Sequence, residues 1–304
     1  MHISLKSQIL GVAAALALAA PAFAQQTVQT QYGEVTIPAD PQRVVVLSEG
    51  ALDAALALGI EPVGVLARRG GTGVADYVAD KVPNAQLVGT LQEINVEAIV
   101  ALSPDVILAD AGFSEEQYQT ISQIAPTVVP VTAPQAQWRD YFTLRAQALG
   151  KEAEGQEVLA AIEAKTAEVK AKAGSVAGQT AAIIRWMEAG PVVFTWKSMS
   201  GQTLAALGLT SVPLAESLEG PHTDVLSLEN LTEVDADWLV IAAFGDTGKA
   251  AYEAVTTDPI YANLKAVKSG QVIVTDGNLW SSTNGPLAAL AQLADVEAAL
   301  DARQ

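Results

Sequence analysis

Apolar and polar positions along this chain follow two periods. Short continuous apolar runs, Arg43-Val-Val-Val-Leu47 and Trp238–Ala242 among them, read as strands buried on both faces of a sheet. Pro62–Leu66, Asp105–Ala109 and Thr127–Val131 are further strand candidates. Between them Gly50–Leu58, Val96–Leu102 and Glu115–Ile124 carry helical spacing, the first stopped by Gly59. This alternation predicts βαβ units and a mostly parallel sheet. Residues 67–88 read as one long polar, Gly-rich connection, a kind of loop that is often functional.

From Gln137 to Ala173 helix formers dominate, and residues 156–173 predict one long helix with Val158, Leu159, Ile162 and Val169 on its apolar stripe. Alternation then restarts at Thr180–Trp186, Val192–Trp196, Gln202–Leu207, Trp238–Ala242 and Val272–Thr275, with a last helix from Pro286. The expected fold is α/β: two Rossmann-like lobes, residues 25–150 and 175–304, joined by one long α-helix over residues 151–174, with a ligand cleft between the lobes.

An internal repeat supports two related lobes. Residues 95–108 align without gaps to residues 227–240, matching Asn95 to Ser227, Glu97 to Glu229 and Asp105 to Asp237. Each copy offers an N-cap residue, a Glu two positions later and an Asp before an apolar strand. Ala57-Leu-Gly-Ile60 recurs as Ala206-Leu-Gly-Leu209 at a longer offset, so lobe one holds extra residues in the 67–88 connection.

The first residues bear on compartment. Lys6, an apolar run from Ile9 to Ala20 and Ala22-Phe23-Ala24 have the form of a cleavable export signal over residues 1–24. With no cysteine there is no lipid-anchor motif, no disulfide and no thiolate metal site. Export without a tether points to a Gram-negative periplasm. A formal charge of -17 argues against nucleic acid and anionic membranes, although a few local arginines can still attract an anion at short range. Only His222 remains once His2 leaves with the signal, which removes multi-His zinc sites. No nucleophile, P-loop or zinc-protease motif occurs.

Val35-Thr-Ile-Pro38 with Pro41–Leu47, Val88-Gly89 with Val96–Leu108, Ser200–Gly208, Leu226–Leu231 and Leu264–Val272, in this order, resemble the landmarks of periplasmic binding proteins for ferric citrate and ferric siderophores. The resemblance implies a bilobal protein that captures a ferric siderophore of citrate, other carboxylate or hydroxamate type. It implies no catalysis, no intrinsic cofactor and iron that arrives already chelated. The partner would be an inner-membrane ABC permease dimer, met by a monomeric binding protein. It further implies that Glu97 and Glu229 dock on permease arginines, one per lobe, though a first-turn Glu also suits the helix dipole. The family includes haem and cobalamin binders, which stay open as alternatives. A periplasmic hydrolase would need His222 as its one imidazole.

In open α/β sheets ligands bind outside the carboxyl ends of strands. Arg68 and Arg69, beside Gly70-Gly71, and Arg185 at a strand end meet that condition and offer bidentate donors for anionic oxygens. Trp186, Trp196, Trp280 and Tyr77 are candidates to wall the cleft. Arginines on a surface also pair with acids, and a Trp at a strand end serves equally in a core. Lys197 and Glu49 are further candidates at the cleft lip, and His222, beside Pro221, reads as an ordinary surface residue.

Overall fold

The structure is a computed structural model that describes residues 24–132 and 137–302. The export signal expected over residues 1–24 lies, apart from Ala24, outside them.

Lobe one opens with an antiparallel hairpin of β1 (Gln25–Thr30) and β2 (Gly33–Pro38). Its residues alternate strictly, with Val28, Thr30, Val35 and Ile37 inward. Five strands then form an all-parallel sheet: β3 (Val44–Val46), β4 (Gly64–Val65), β5 (Gln86–Leu87), β6 (Val106–Leu108) and β7 (Thr127–Val128), in the order β5-β4-β3-β6-β7. Helices α1 (Glu49–Ala57), α2 (Val96–Leu102) and α3 (Glu115–Ile121) connect them. The 67–88 connection is more ordered than its composition predicts: it holds a 3-10 turn at Asp76–Lys81 and the edge strand β5.

Two helices follow, α4 (Trp138–Ala148) and α5 (Glu152–Lys172). The long helix starts a turn before the periodic run at 156–173, within the expected 151–174, and runs through Gly155, which packs on α4 where a Cβ would come within 2.8 Å of the Ala146 Cβ.

Lobe two is built on β8 (Thr180–Met187), β9 (Gly190–Val193), β10 (Thr210–Ser211), β11 (Trp238–Ala243) and β12 (Val272–Asp276). The order β10-β8-β11-β12 is parallel, while β9 folds back antiparallel on β8. Its helices are α6 (Met199–Ala206), α7 (Pro213–Ser217), α8 (Gly245–Val255), α9 (Pro259–Ala262), α10 (Lys265–Lys268), α11 (Gly277–Ser281) and α12 (Pro286–Asp301). The last helix returns to pack on α5 and on α1 of lobe one. Glu297 of α12 takes ion pairs from Lys165, at 2.6 Å, and Lys172 of α5. The largest hydrophobic cluster runs through both lobes, from Val46 and Phe142 to Ile183 and Leu293.

The sequence repeat has a structural meaning. Asp105 Oδ2 accepts the backbone N–H of Gln42 and Arg43 at 2.8 and 2.9 Å, fixing the entry to β3. Asp237 Oδ2 accepts the backbone N–H and hydroxyl of Thr180 at 2.8 and 2.9 Å, fixing the start of β8. Ser48 and Ser198 cap α1 and α6 through their side chains, and both helices are closed by left-handed glycines, Gly59 and Gly208. The repeat departs at one place. Residues Val96–Leu102 form the α-helix α2, whereas Glu229–Val234 form a 3-10 turn.

Candidate ligand-binding site

The carboxyl ends of the two sheets meet where the lobes touch. Gly50, just after β3, lies against the backbone of Asn284, after α11. Gly70, in the loop after β4, lies on the Phe244 ring, which follows β11. Glu49 Oε2 accepts from the Thr283 hydroxyl at 3.1 Å. Behind this line Asp53 of α1 accepts the N–H groups of Leu287 and Ala288, both at 2.8 Å, and so caps α12 across the lobe boundary. The Tyr77 hydroxyl donates to Asp53 at 2.7 Å. Burial pushes the Asp53 carboxyl up to about 6 despite these three donors.

Two recesses open at the boundary and share Ser282 and Asn284. The larger, about 350 Å³, lies on lobe two between Phe194–Ser200, Glu219–Pro221 and Trp280–Asn284. The smaller, about 80 Å³, is lined by Ser48, Glu49, Arg69, Asp110, Tyr141 and Arg145 of lobe one. Together they reach the lower range of small-molecule sites, roughly 300–1,000 Å³.

Arg185 is the most constrained cation at this boundary. Its guanidinium lies between the Phe194 and Phe244 rings, 4.6 and 4.8 Å from their centroids. Nε donates to Ser281 Oγ at 2.7 Å, and Nη2 donates to the Ser281 carbonyl and to Ser282 Oγ. Burial, and the nearby Arg69, pull it down to about 10. Arg69 itself is exposed, lines the smaller recess and donates its backbone N–H to Glu49 Oε1 at 2.7 Å. Burial raises the Glu49 carboxyl above its ordinary range. Among the described residues neither Arg69 nor Arg185 has a carboxylate at ion-pair distance.

The other predicted residues are spread more widely. Arg68 pairs with Asp76 at 3.5 Å and lines a separate groove with Asp246, Lys249 and Asp276. Trp186 is buried in the core, edge-on to Tyr252 and Tyr261. Trp280 is buried too: its indole N–H donates to Asp295 at 2.8 Å, its carbonyl accepts from Ser200, and it borders the larger recess. Trp196 is half-buried against the main core beside Gly201. Tyr77 is held by Asp53. Glu97 and Glu229 are both exposed, at the starts of α2 and of the 3-10 turn. His222 Nδ1 lies 2.7 Å from the Thr223 carbonyl, and its ring is tilted against Phe194. Lys197 borders the larger recess and donates to the Leu218 carbonyl at 3.1 Å.

Three contributors escaped the sequence reading. Phe194 and Phe244 stand directly after β9 and β11, an aromatic at each strand end. Arg145 sits inside α4, where a charged residue ordinarily faces solvent, yet it is buried and reaches the smaller recess.

Two α/β lobes packed on long helices, with a small-molecule cleft at the facing strand ends, define a two-lobed solute-binding protein. This chain belongs to the periplasmic binding protein family, which it matches over residues 44–279. It is therefore a binding protein and not an enzyme, and it works outside the cytoplasm. A probable siderophore-binding lipoprotein of Bacillus subtilis, YfiY, is 33% identical over 86% of this chain and 83% of its own length. The Fe(3+)-citrate-binding protein YfmC of the same organism is also 33% identical, over 86% of this chain and 81% of its own. The structure of Staphylococcus aureus SirA complexed with staphyloferrin B superposes with a TM-score of 0.77 at 25% identity, covering 91% of this chain and 98% of SirA.

Proposed function

We propose that this protein captures a ferric siderophore of carboxylate type, ferric citrate or a related chelate, and delivers it to an ABC importer. One observation carries the reading. Arg185 and Arg69 come from opposite lobes, lie close enough to disfavour each other's charge and, among the described residues, have no carboxylate at ion-pair distance, Glu49 acting on both only from farther away, in a chain of net charge -17. Two like charges across a cleft without a close counter-ion gain from an anion placed between them. Relatives named for siderophore and Fe(3+)-citrate binding agree with this.

In this reading the iron arrives chelated and the protein recognises the organic shell. The Phe194 ring and the 194–200 and 280–284 segments receive the body of the ligand. Residues 25–150 and 175–304 act as two lobes on the helix at 151–174. A single molecule docks through exposed Glu97 and Glu229 on an inner-membrane permease dimer. The export-signal pattern expected over residues 1–24, in a sequence with no cysteine, supports a Gram-negative periplasm as its compartment.

Intrinsic Trp fluorescence during titration tests this, because Trp280 borders the larger recess. Ferric citrate should quench at submicromolar concentration, and haem and cobalamin should not. Tight binding of haem or cobalamin with none of ferric citrate would replace the reading.

A further inference from the structure

Arg145 is a buried cation in the smaller recess with part of its hydrogen-bonding capacity unused. It is 3% exposed. Nη2 donates to the Ala109 carbonyl at 3.3 Å, and Nε, fully buried, has no partner among the described residues. It forms no ion pair there either: Asp53 and Asp110 act on it only at longer range. The guanidinium lies below Gly50, where a Cβ would come within 3.4 Å of Nη1. Leaving a buried guanidinium under-bonded is costly, and an anion seated against it would supply the missing acceptors.

The recess around it is shaped for a small anionic group. At about 80 Å³ it is far smaller than the 350 Å³ recess beside it, a size that suits one arm of a chelate whose body lies in the larger recess. Arg69 lines the same recess, so two arginines border it. Of the acids beside them, Glu49 is already engaged, with Oε1 and Oε2 taken by Arg69 N–H and the Thr283 hydroxyl. Asp110 also lines the recess, and its like charge would oppose an anion there. The recess joins the larger one at Ser282 and Asn284, so a ligand seated on lobe two can extend into it.

We propose that Arg145 anchors a free carboxylate arm of the chelate in this recess and thereby selects carboxylate siderophores over neutral hydroxamates. The inference rests on the ferric-chelate reading above and adds to it the residue that discriminates between chelate classes.

The test uses Arg145→Met, which keeps the aliphatic bulk, together with Arg145→Lys and Asp110→Asn. Each is titrated with ferric citrate and with a neutral ferric trihydroxamate, and thermal unfolding of the unliganded protein is recorded. Arg145→Met should weaken ferric citrate by roughly ten- to a hundredfold and the hydroxamate by less than about threefold. The split between the two chelates is the readout that a merely structural arginine would not move. Arg145→Lys should recover part of the citrate affinity, and Asp110→Asn should leave it equal or higher. Unchanged citrate affinity in Arg145→Met, or a lowered unfolding temperature with equal losses for both chelates, would overturn the proposal. A loss of citrate affinity in Asp110→Asn would overturn the anionic assignment. A wild-type protein that binds neither chelate would instead overturn the ferric-chelate reading itself.

Discussion

Asp53 of lobe one accepts the backbone N–H of Ala288 of lobe two at 2.8 Å, so the last helix of the chain is capped by a side chain from the other lobe. The same carboxylate holds Leu287 N–H and the Tyr77 hydroxyl, and it is wholly buried. Its folded-state value of about 6 stands above the ordinary 3.8. Between those values the folded chain holds a proton that the unfolded chain has lost, so stability from this site rises as pH falls through 6 and levels off below 3.8. The full difference corresponds to about 3 kcal/mol. Relative to Asp53→Asn, the wild type should gain about 1–1.5 kcal/mol between pH 7.5 and pH 5. Urea unfolding of both proteins at the two pH values checks this, and parallel pH profiles would refute it.

Arg69, rather than Arg68, is the lobe-one arginine whose charge acts on Arg185 across the lobe boundary. Arg69→Ala with Arg185→Gln should weaken ferric citrate by about a hundredfold, since each desolvated charge-assisted hydrogen bond contributes roughly 1.5–3 kcal/mol. Arg68→Ala should change affinity by less than about threefold, because its guanidinium is turned to Asp76 in a separate groove. Titration calorimetry at fixed salt separates the two variants.

At Gly50 the lobes come into backbone contact: a Cβ there would stand 2.7 Å from the Asn284 carbonyl oxygen. Gly50→Ala must either shift a lobe or strain the junction, at a cost of about 1–3 kcal/mol. Urea midpoints should fall and ferric-citrate affinity should drop with them. Wild-type values for both would show that the junction has slack.

Exposed Glu97 and Glu229 lie at matched places in the two lobes and outside both recesses. Replacing both with Ala should leave chelate affinity within about twofold and abolish import, since single surface charges contribute little but both lobes must register together. Uptake of radiolabelled iron in cells carrying the double variant is the measurement. Normal uptake would assign docking to other residues.

Much of this architecture can be read along the chain, and the limits have definite causes. Parallel strands buried on both faces leave continuous apolar runs, so β3, β6, β8 and β11 stand out. The repeated Asp105 and Asp237 mark one structural task performed twice. The β1–β2 hairpin carries its own alternation around Gly33, but each run is short and follows directly on the segment read as an export signal. Arg185 and Trp186 are adjacent on one strand, and successive strand residues point to opposite faces. They could not both wall the same cleft: Arg185 faces the lobe boundary, and Trp186 the core with Tyr252 and Tyr261. Arg145 was invisible for a different reason. Only the packing of α4 beneath Gly50, distant in sequence, turns a helical arginine toward a recess.

Gly70 adopts φ +71 and lies so close to Phe244 that a Cβ would come within 2.7 Å of the ring. Glycine there satisfies two demands at once, a left-handed backbone and a missing methyl. Phe244 is one of the two rings that grip Arg185, and it is braced from behind by a loop belonging to the other lobe. The grip on the cation is thus completed by the opposing half of the molecule. Any parting of the two halves would therefore take the Gly70 backing away from the ring that lies on Arg185.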